Sequence, residues 1–200
     1  DNFHDSARAI FDCCCKMTGA VSGYVALLSE DGQENELLFL EAGGMPCSVD
    51  PHLPMPVRGL REKAYKTHKA VYENNFMESH WLDYLPEGHM AMHNVMFSPL
   101  NLDGATVGVI GIANKPSDFT DEDAQVATVF GDLAAIALKN SQHIDQLKEK
   151  TTSLEKALTQ VKTLKSLLPI CSYCKNVRND AGFWVRVDAY IAEHTDTQLS

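Results

Sequence analysis

"MFSPLNLDGATVGVIGIANK", residues 96–115, decides the architecture. Asp103-Gly104 is a pair that accepts the positive φ a two-residue hairpin needs. The stretch therefore reads as two strands, 94–102 and 105–114, joined by a tight turn. In the second strand Val107, Val109 and Ile112 do not alternate cleanly with Gly108 and Ile110. A strand without alternation is covered on both faces, which puts it at the centre of a sheet.

Working outward, "SGYVALLSEDGQENELLFLEAGG" (22–44) reads as strands 22–29 and 35–42 around a turn at Glu30-Asp31-Gly32. Before it, Phe3, Ala7, Ile10, Phe11, Cys14 and Met17 recur at helical spacing, and Gly19 follows as a stop. Gly43-Gly44 and four prolines up to Pro56 make a loop. "RGLREKAYKTHKAVYEN" (58–74) gives a helix of about ten residues and a short strand at 70–73. Residues 74–92, "NNFMESHWLDYLPEGHMAM", have no period and read as a long loop with a helical turn. Helix, two strands, helix, strand, loop, two strands and helix form an α+β domain: an antiparallel sheet with helices packed on it.

Beyond Thr120 one long helix begins, with Thr120 as its cap and Asp121, Glu122 and Asp123 at the positive end of its dipole. A 3-4 alternation runs through Phe130, Leu133, Ala137, Asn140, Ile144, Leu147, Thr151, Leu154, Leu158, Val161, Lys165 and Leu168; nine of these twelve are apolar. Residues between them from 139 to 166 are largely Lys, Glu, Gln, Ser and Thr. So narrow a stripe on so long a helix is buried only against a second copy or another helix, so a homodimeric coiled coil through residues 126–168 is expected, with a helix folded back on its own domain as the alternative. Asn140, Thr151 and Lys165 in the seam cost stability and fix register. The expected divisions are 1–138 (the α+β domain), 139–168 (coiled coil) and 169–200 (an incomplete Cys-x-x-Cys module).

The 200 residues are 44% apolar and 22% charged, ordinary for a globular chain. A net charge of −10 argues against a nucleic-acid surface, and no apolar run is long enough to span a membrane. The N-terminus lacks the pattern of a signal peptide and an initiator Met, and the chain stops at Ser200 in mid-segment. A fragment of a longer cytoplasmic protein is therefore expected, with a processed protein as the alternative, its six cysteines reduced.

Two cysteines stand in "PICSYCKN", 169–176. Cys171 and Cys174 supply two of the four ligands of a structural zinc site, with His194 a candidate third; inert thiols and a redox pair are the alternatives. His89 and His93 stand four apart and would share one face of a helix as metal or haem ligands; as loop histidines they would do neither. Cys13-Cys14-Cys15 would sense redox state only through an exposed, low-pKa thiol.

From Phe3 to Leu138 the sequence resembles a GAF domain, a sensory module of signalling proteins. Residues 59–74 resemble the family's helix-then-strand element, with Ala70 where proline is common. Residues 96–115 resemble its central hairpin. Asn114, Lys115, Phe119 and Asp123 match an Asn-Lys…Phe…Asp-Glu signature, with Ala124 in place of the final acid. The resemblance implies a structural role for those four, and a ligand pocket under the sheet's covering loop. Candidate pocket residues are Met77, Trp81, His89, Met92, His93 and Met96, with Met90 beside them; packing without a ligand is the alternative. Residues 169–200 resemble the start of a C-terminal module of bacterial sensory proteins, which carries a second cysteine pair further on.

The resemblance implies a small-molecule-sensing module of a cytoplasmic signalling protein, relaying ligand or redox state through a dimeric coiled coil. The alternative is a scaffold that only dimerises. Neither ligand nor cofactor is identified; zinc at Cys171 and Cys174 is a candidate cofactor. Catalysis is not expected: some relatives reduce oxidised methionine with cysteines, but only Cys47 lies in a suitable loop, with no base beside it in sequence. His143 lacks the flanking residues of a phosphoacceptor.

Overall fold

The computed structural model describes residues 2–50, 53–166, 170–179 and 181–194, with backbone alone at residues 2, 162–166 and 193–194. Leu168 and Pro169, and the side chains of Lys165 and His194, lie outside the described residues and atoms. The chain forms two compact units, residues 1–144 and 145–200.

In the first unit the elements are α1 (Asn2–Thr18), β1 (Ser22–Leu28), β2 (Asn35–Glu41), α2 (Leu60–Thr67), β3 (Val71–Glu73), β4 (Val95–Leu102), β5 (Ala105–Ala113) and the first part of α3 (Asp121–Ser166). Two short 3-10 turns, Phe76–Glu78 and His80–Tyr84, interrupt the long loop. The five strands form one antiparallel sheet in the order β2-β1-β5-β4-β3, so β5 is central, as its lack of alternation requires. Asp103 and Gly104 both adopt positive φ at the β4–β5 turn, the conformation a two-residue hairpin demands.

Strand parity gives the sheet two different faces. On the first, Val25, Phe39, Met96, Leu100, Ile110 and Ile112 pack with Phe3, Ala7, Phe11 and Cys14 of α1 and with Ala127, Ala134, Ala135 and Leu138 of α3. Close approach of α3 to β4 requires Gly131, where a Cβ would fall 2.4 Å from the Pro99 carbonyl oxygen. Ser98 Oγ donates to the Ala127 carbonyl at 2.8 Å, and Lys139 Nζ donates to both Asp103 carboxylate oxygens at 2.9 and 3.0 Å. On the second face Leu60, Phe76, Met90, Met92, Val95 and Ala113 cluster beneath α2 and the loop.

The second unit holds the remainder of α3, the short pair β6 (Val177–Arg178) and β7 (Trp184–Val185), and α4 (Val187–His194). Within the stripe expected on α3, Phe130 and Ala137 are half-buried against the first core. At those turns the outward residues are Val129 and Ile136 instead, both more than half exposed. Leu147, Leu154, Leu158 and Val161 are 63, 65, 60 and 50% exposed. Among the described residues no helix is long and apolar enough to cross a membrane.

Candidate functional site

The second face of the sheet brings together an aromatic pair, a cation and a methionine-rich wall. Tyr24, Gly111 and Phe97 are register partners across β1, β5 and β4 and share this face. The absence of a side chain at Gly111 lets the two rings flank it, with centroids 6.3 Å apart. A Cβ at that position would fall 2.8 Å from Tyr24 Cε1 and 3.0 Å from Phe97 Cε1. Phe97 continues into the apolar cluster with Leu60, Met90, Met92 and Trp81.

Above the rings, α2 supplies Arg61. Its Nη1 donates to the Tyr24 hydroxyl at 2.9 Å and its Nη2 to the Pro56 carbonyl at 2.9 Å. Its Nε is buried and has no acceptor among the described residues. One turn along, the Tyr65 hydroxyl donates to Asn35 Oδ1 at 2.7 Å, and burial pushes that phenol well above its ordinary pKa, with the nearby Tyr24 adding to the rise. Pro56 is placed by backbone pairing of its loop with the start of β2: Asn35 N donates to the Met55 carbonyl and Val57 N to the Gln33 carbonyl, each at 2.9 Å.

The candidate pocket residues divide. Trp81 and Met92 belong to the cluster on this face, with the Trp81 ring tilted against His80 at 3.9 Å between centroids. Met96 does not: on β4 its neighbours Val95 and Phe97 point to this face, so Met96 lies in the opposite core beneath α1 and α3. Met77 is 40% exposed and is not part of that cluster's buried residues. His89 and His93 do not share a helical face, because residues 89–94 are irregular loop. His89 Nδ1 bonds its neighbour's Met90 carbonyl at 2.9 Å, and His93 is exposed. Among the described residues no three His, Cys, Asp or Glu gather closely enough to hold a metal ion. Arg61, Tyr24, Tyr65 and Phe97 escaped the sequence reading; the one signal was an Arg in the first turn of an otherwise amphipathic helix.

Asn114, Lys115, Phe119 and Asp123 form a clamp beside this face. Asn114 adopts φ 59°, accepts from His93 N at 2.9 Å and donates to the Ala91 carbonyl at 3.2 Å. That pairing ties the covering loop to the end of β5. Lys115 Nζ donates to Asp123 Oδ2, and both side chains are mostly buried. Thr120 and Asp123 also cap α3 reciprocally, Thr120 N donating to Asp123 Oδ2 at 2.8 Å and Asp123 N to Thr120 Oγ1 at 3.3 Å. Burial pushes the Asp123 carboxyl up, but the bonds from Lys115 and Thr120 outweigh it and hold the group below its ordinary range. Phe119 is buried in the first core and exchanges backbone bonds with the Asn74 side chain at 2.7 and 3.0 Å.

The thiols differ in kind. Cys14 and Cys15 are pushed up to about 12, first by burial and then by neighbouring groups, so they are thiols at neutral pH. Cys13 and Cys47 are exposed. In the second unit Cys171 is held below its ordinary value, foremost by the backbone N–H groups of Cys174 and Tyr173 at its sulfur and then by the Cys174 side chain. The Lys175 amide closes the knuckle onto the Cys171 carbonyl at 2.9 Å, with Lys175 itself at φ 60°.

Residues 1–139 match the family described as GAF domain. Among solved structures the chain is similar to the GAF domain of a phosphoenolpyruvate-protein phosphotransferase from Acinetobacter, with 17% identity over 72% of this chain and 86% of that one, TM-score 0.59. It is similar to the GAF-B domain of DevS from Mycobacterium smegmatis, with 20% identity over 72% and 97%, TM-score 0.54. A third is the type II free methionine-R-sulfoxide reductase from Thermoplasma acidophilum, with 15% identity over 70% and 96%, TM-score 0.51. At these identities the likeness is one of fold. No curated protein matches the chain.

Proposed function

The chain belongs to the GAF domain family over residues 1–139, and from that premise we propose that it is the sensing part of a dimeric signalling protein. GAF domains are regulatory sensory domains in such proteins. The finer reading is that a small molecule binds on the second face of the sheet, beneath α2 and the 74–94 loop. Its occupancy alters how two α3 helices pair, and the pairing passes the state to whatever the helices join. A ligand can do this only if it favours one helical arrangement over another.

The observation that carries the reading is the outward stripe Leu147, Leu154, Leu158 and Val161, each half exposed or more within the second unit. Covering a leucine of this kind is worth roughly 1.5–3 kcal/mol, so a column of them on each of two chains supports association. The test is sedimentation equilibrium of the full chain beside Leu154→Lys/Leu158→Lys. The expected result is a dimer and, for the variant, a monomer with the first unit's fold intact; a monomeric parent chain overturns the relay.

In the same reading Cys171 and Cys174 are two ligands of a structural zinc ion. The N–H groups at Cys171 suit a thiolate, the form that ligates zinc. The protein itself catalyses nothing in this account; thiol-dependent turnover lost on Cys47→Ser would reverse that.

A further inference from the structure

Arg61 is a permanent cation in a neutral setting. Its two acceptors, the Tyr24 hydroxyl and the Pro56 carbonyl, carry no charge. Among the described residues it makes no ion pair, although the chain carries 27 acids against 17 bases. A guanidinium has five N–H groups, so the two bonds to Tyr24 and Pro56 leave most of the fork open. The Nε among the open donors is buried, out of reach of bulk water. A buried donor without an acceptor is costly, and the half-buried guanidinium also has no counter-charge among the described residues. Both deficits are met by one group: an anion with two acceptor oxygens in a plane.

The surroundings define the rest of that anion. Tyr24, whose hydroxyl holds the guanidinium, is one of the two rings flanking Gly111, and Phe97, the other, leads into Leu60, Trp81, Met90 and Met92. An apolar wall with a single convergent cation is the composition of a small-molecule site. The neighbouring Arg58 is exposed and turned to Tyr84: its Nη2 donates to the Tyr84 carbonyl at 3.2 Å and its guanidinium lies 5.9 Å over the Tyr84 ring. One available charge matches a monoanion better than a phosphate dianion, and a planar fork matches a carboxylate.

We infer that this face of the sheet binds a small organic monocarboxylate, its carboxylate on the Arg61 fork and its apolar body against Tyr24, Phe97 and Trp81. The inference rests on the sensing role and specifies the ligand class.

Isothermal calorimetry on the full chain with benzoate, isobutyrate and 4-methylpentanoate, each beside its uncharged amide, tests it. At least one carboxylate binds, and its amide binds about tenfold more weakly or worse, the ratio that a charge-assisted bond confers. Arg61→Gln lowers carboxylate affinity by about tenfold or more, whereas Arg58→Gln leaves it unchanged. Tyr24→Phe keeps the ring, so it folds even if Arg61→Gln does not, and it weakens carboxylate binding alone. Equal affinity for acid and amide, or undiminished binding to a folded Arg61→Gln chain, overturns the anion assignment and leaves a sensor of neutral molecules. Failure of every carboxylate to bind with a Kd below about 1 mM overturns it as well, whatever the sedimentation result for the dimer.

Discussion

At Gly111 an added methyl group would press on two rings held by neighbouring strands and by α2. Gly111→Ala is expected to cost about 1–3 kcal/mol, the usual penalty of overpacking, read as a lowered urea midpoint. A shift below about 0.5 kcal/mol would mean that the rings part freely. Asp123 offers a pH-dependent case. Its native pKa lies below the ordinary range, so it contributes stability above the unfolded value of about 3.9 and loses it as pH falls through the native pKa. Asp123→Asn is therefore expected to lower stability by about 1–3 kcal/mol at neutral pH, with the gap to the parent chain closing below about pH 4. A gap that stays constant down to pH 2 would show that charge plays no part. Arg61 is a residue that sequence alone does not reveal. Its meaning depends on Tyr24, 37 positions away, and on a loop carbonyl, and neither proximity has a local signature.

At the scale of elements, α3 carries the sharpest correction. Its outward residues are Val129, Leu133, Ile136, Asn140, Ile144, Leu147, Thr151, Leu154, Leu158 and Val161. Their spacing is 4-3-4-4-3-4-3-4-3, so two fours fall together at Ile136–Asn140–Ile144. The eleven residues from Leu133 to Ile144 correspond to 3.67 residues per turn, a spacing that in the proposed dimer would locally unwind a left-handed supercoil before the heptads resume. Periodicity could not show this, because residues 126–138 are apolar on nearly every side: one stripe serves the sheet and another the outside. Lysine at both Val129 and Ile136 is thus expected to weaken the dimer about as much as lysine at Leu154, measured by sedimentation. An unchanged dissociation constant would place the seam on Phe130 and Ala137 after all. The strands were far more legible. Asp103-Gly104 dictates a hairpin, and uninterrupted apolarity dictates a central β5. Within 74–94 there is no period to assign a face. Met92 in the loop and Met96 in β4 looked alike, and only the parity of β4 sends Met96 to the other core.

For the molecule as a whole, the first unit joins a clamp, a sheet with two distinct faces and a helix that leaves it bearing an unburied stripe. The two faces separate tasks. One anchors α1 and α3, and the other gathers an unanswered cation with an apolar wall. In the proposed role, the ligand face and the helix face are joined through the sheet itself, whose β4 and β5 have residues in both layers. That joint role, sensing within a dimer, is the central claim. Native mass spectrometry of the full chain at neutral pH, without chelator, tests it most directly because subunit number and bound mass are read together. The account predicts two chains carrying a small anionic molecule, retained after purification or supplied as one of the carboxylates above. A single chain that stays single at every concentration, with or without carboxylate, would contradict it.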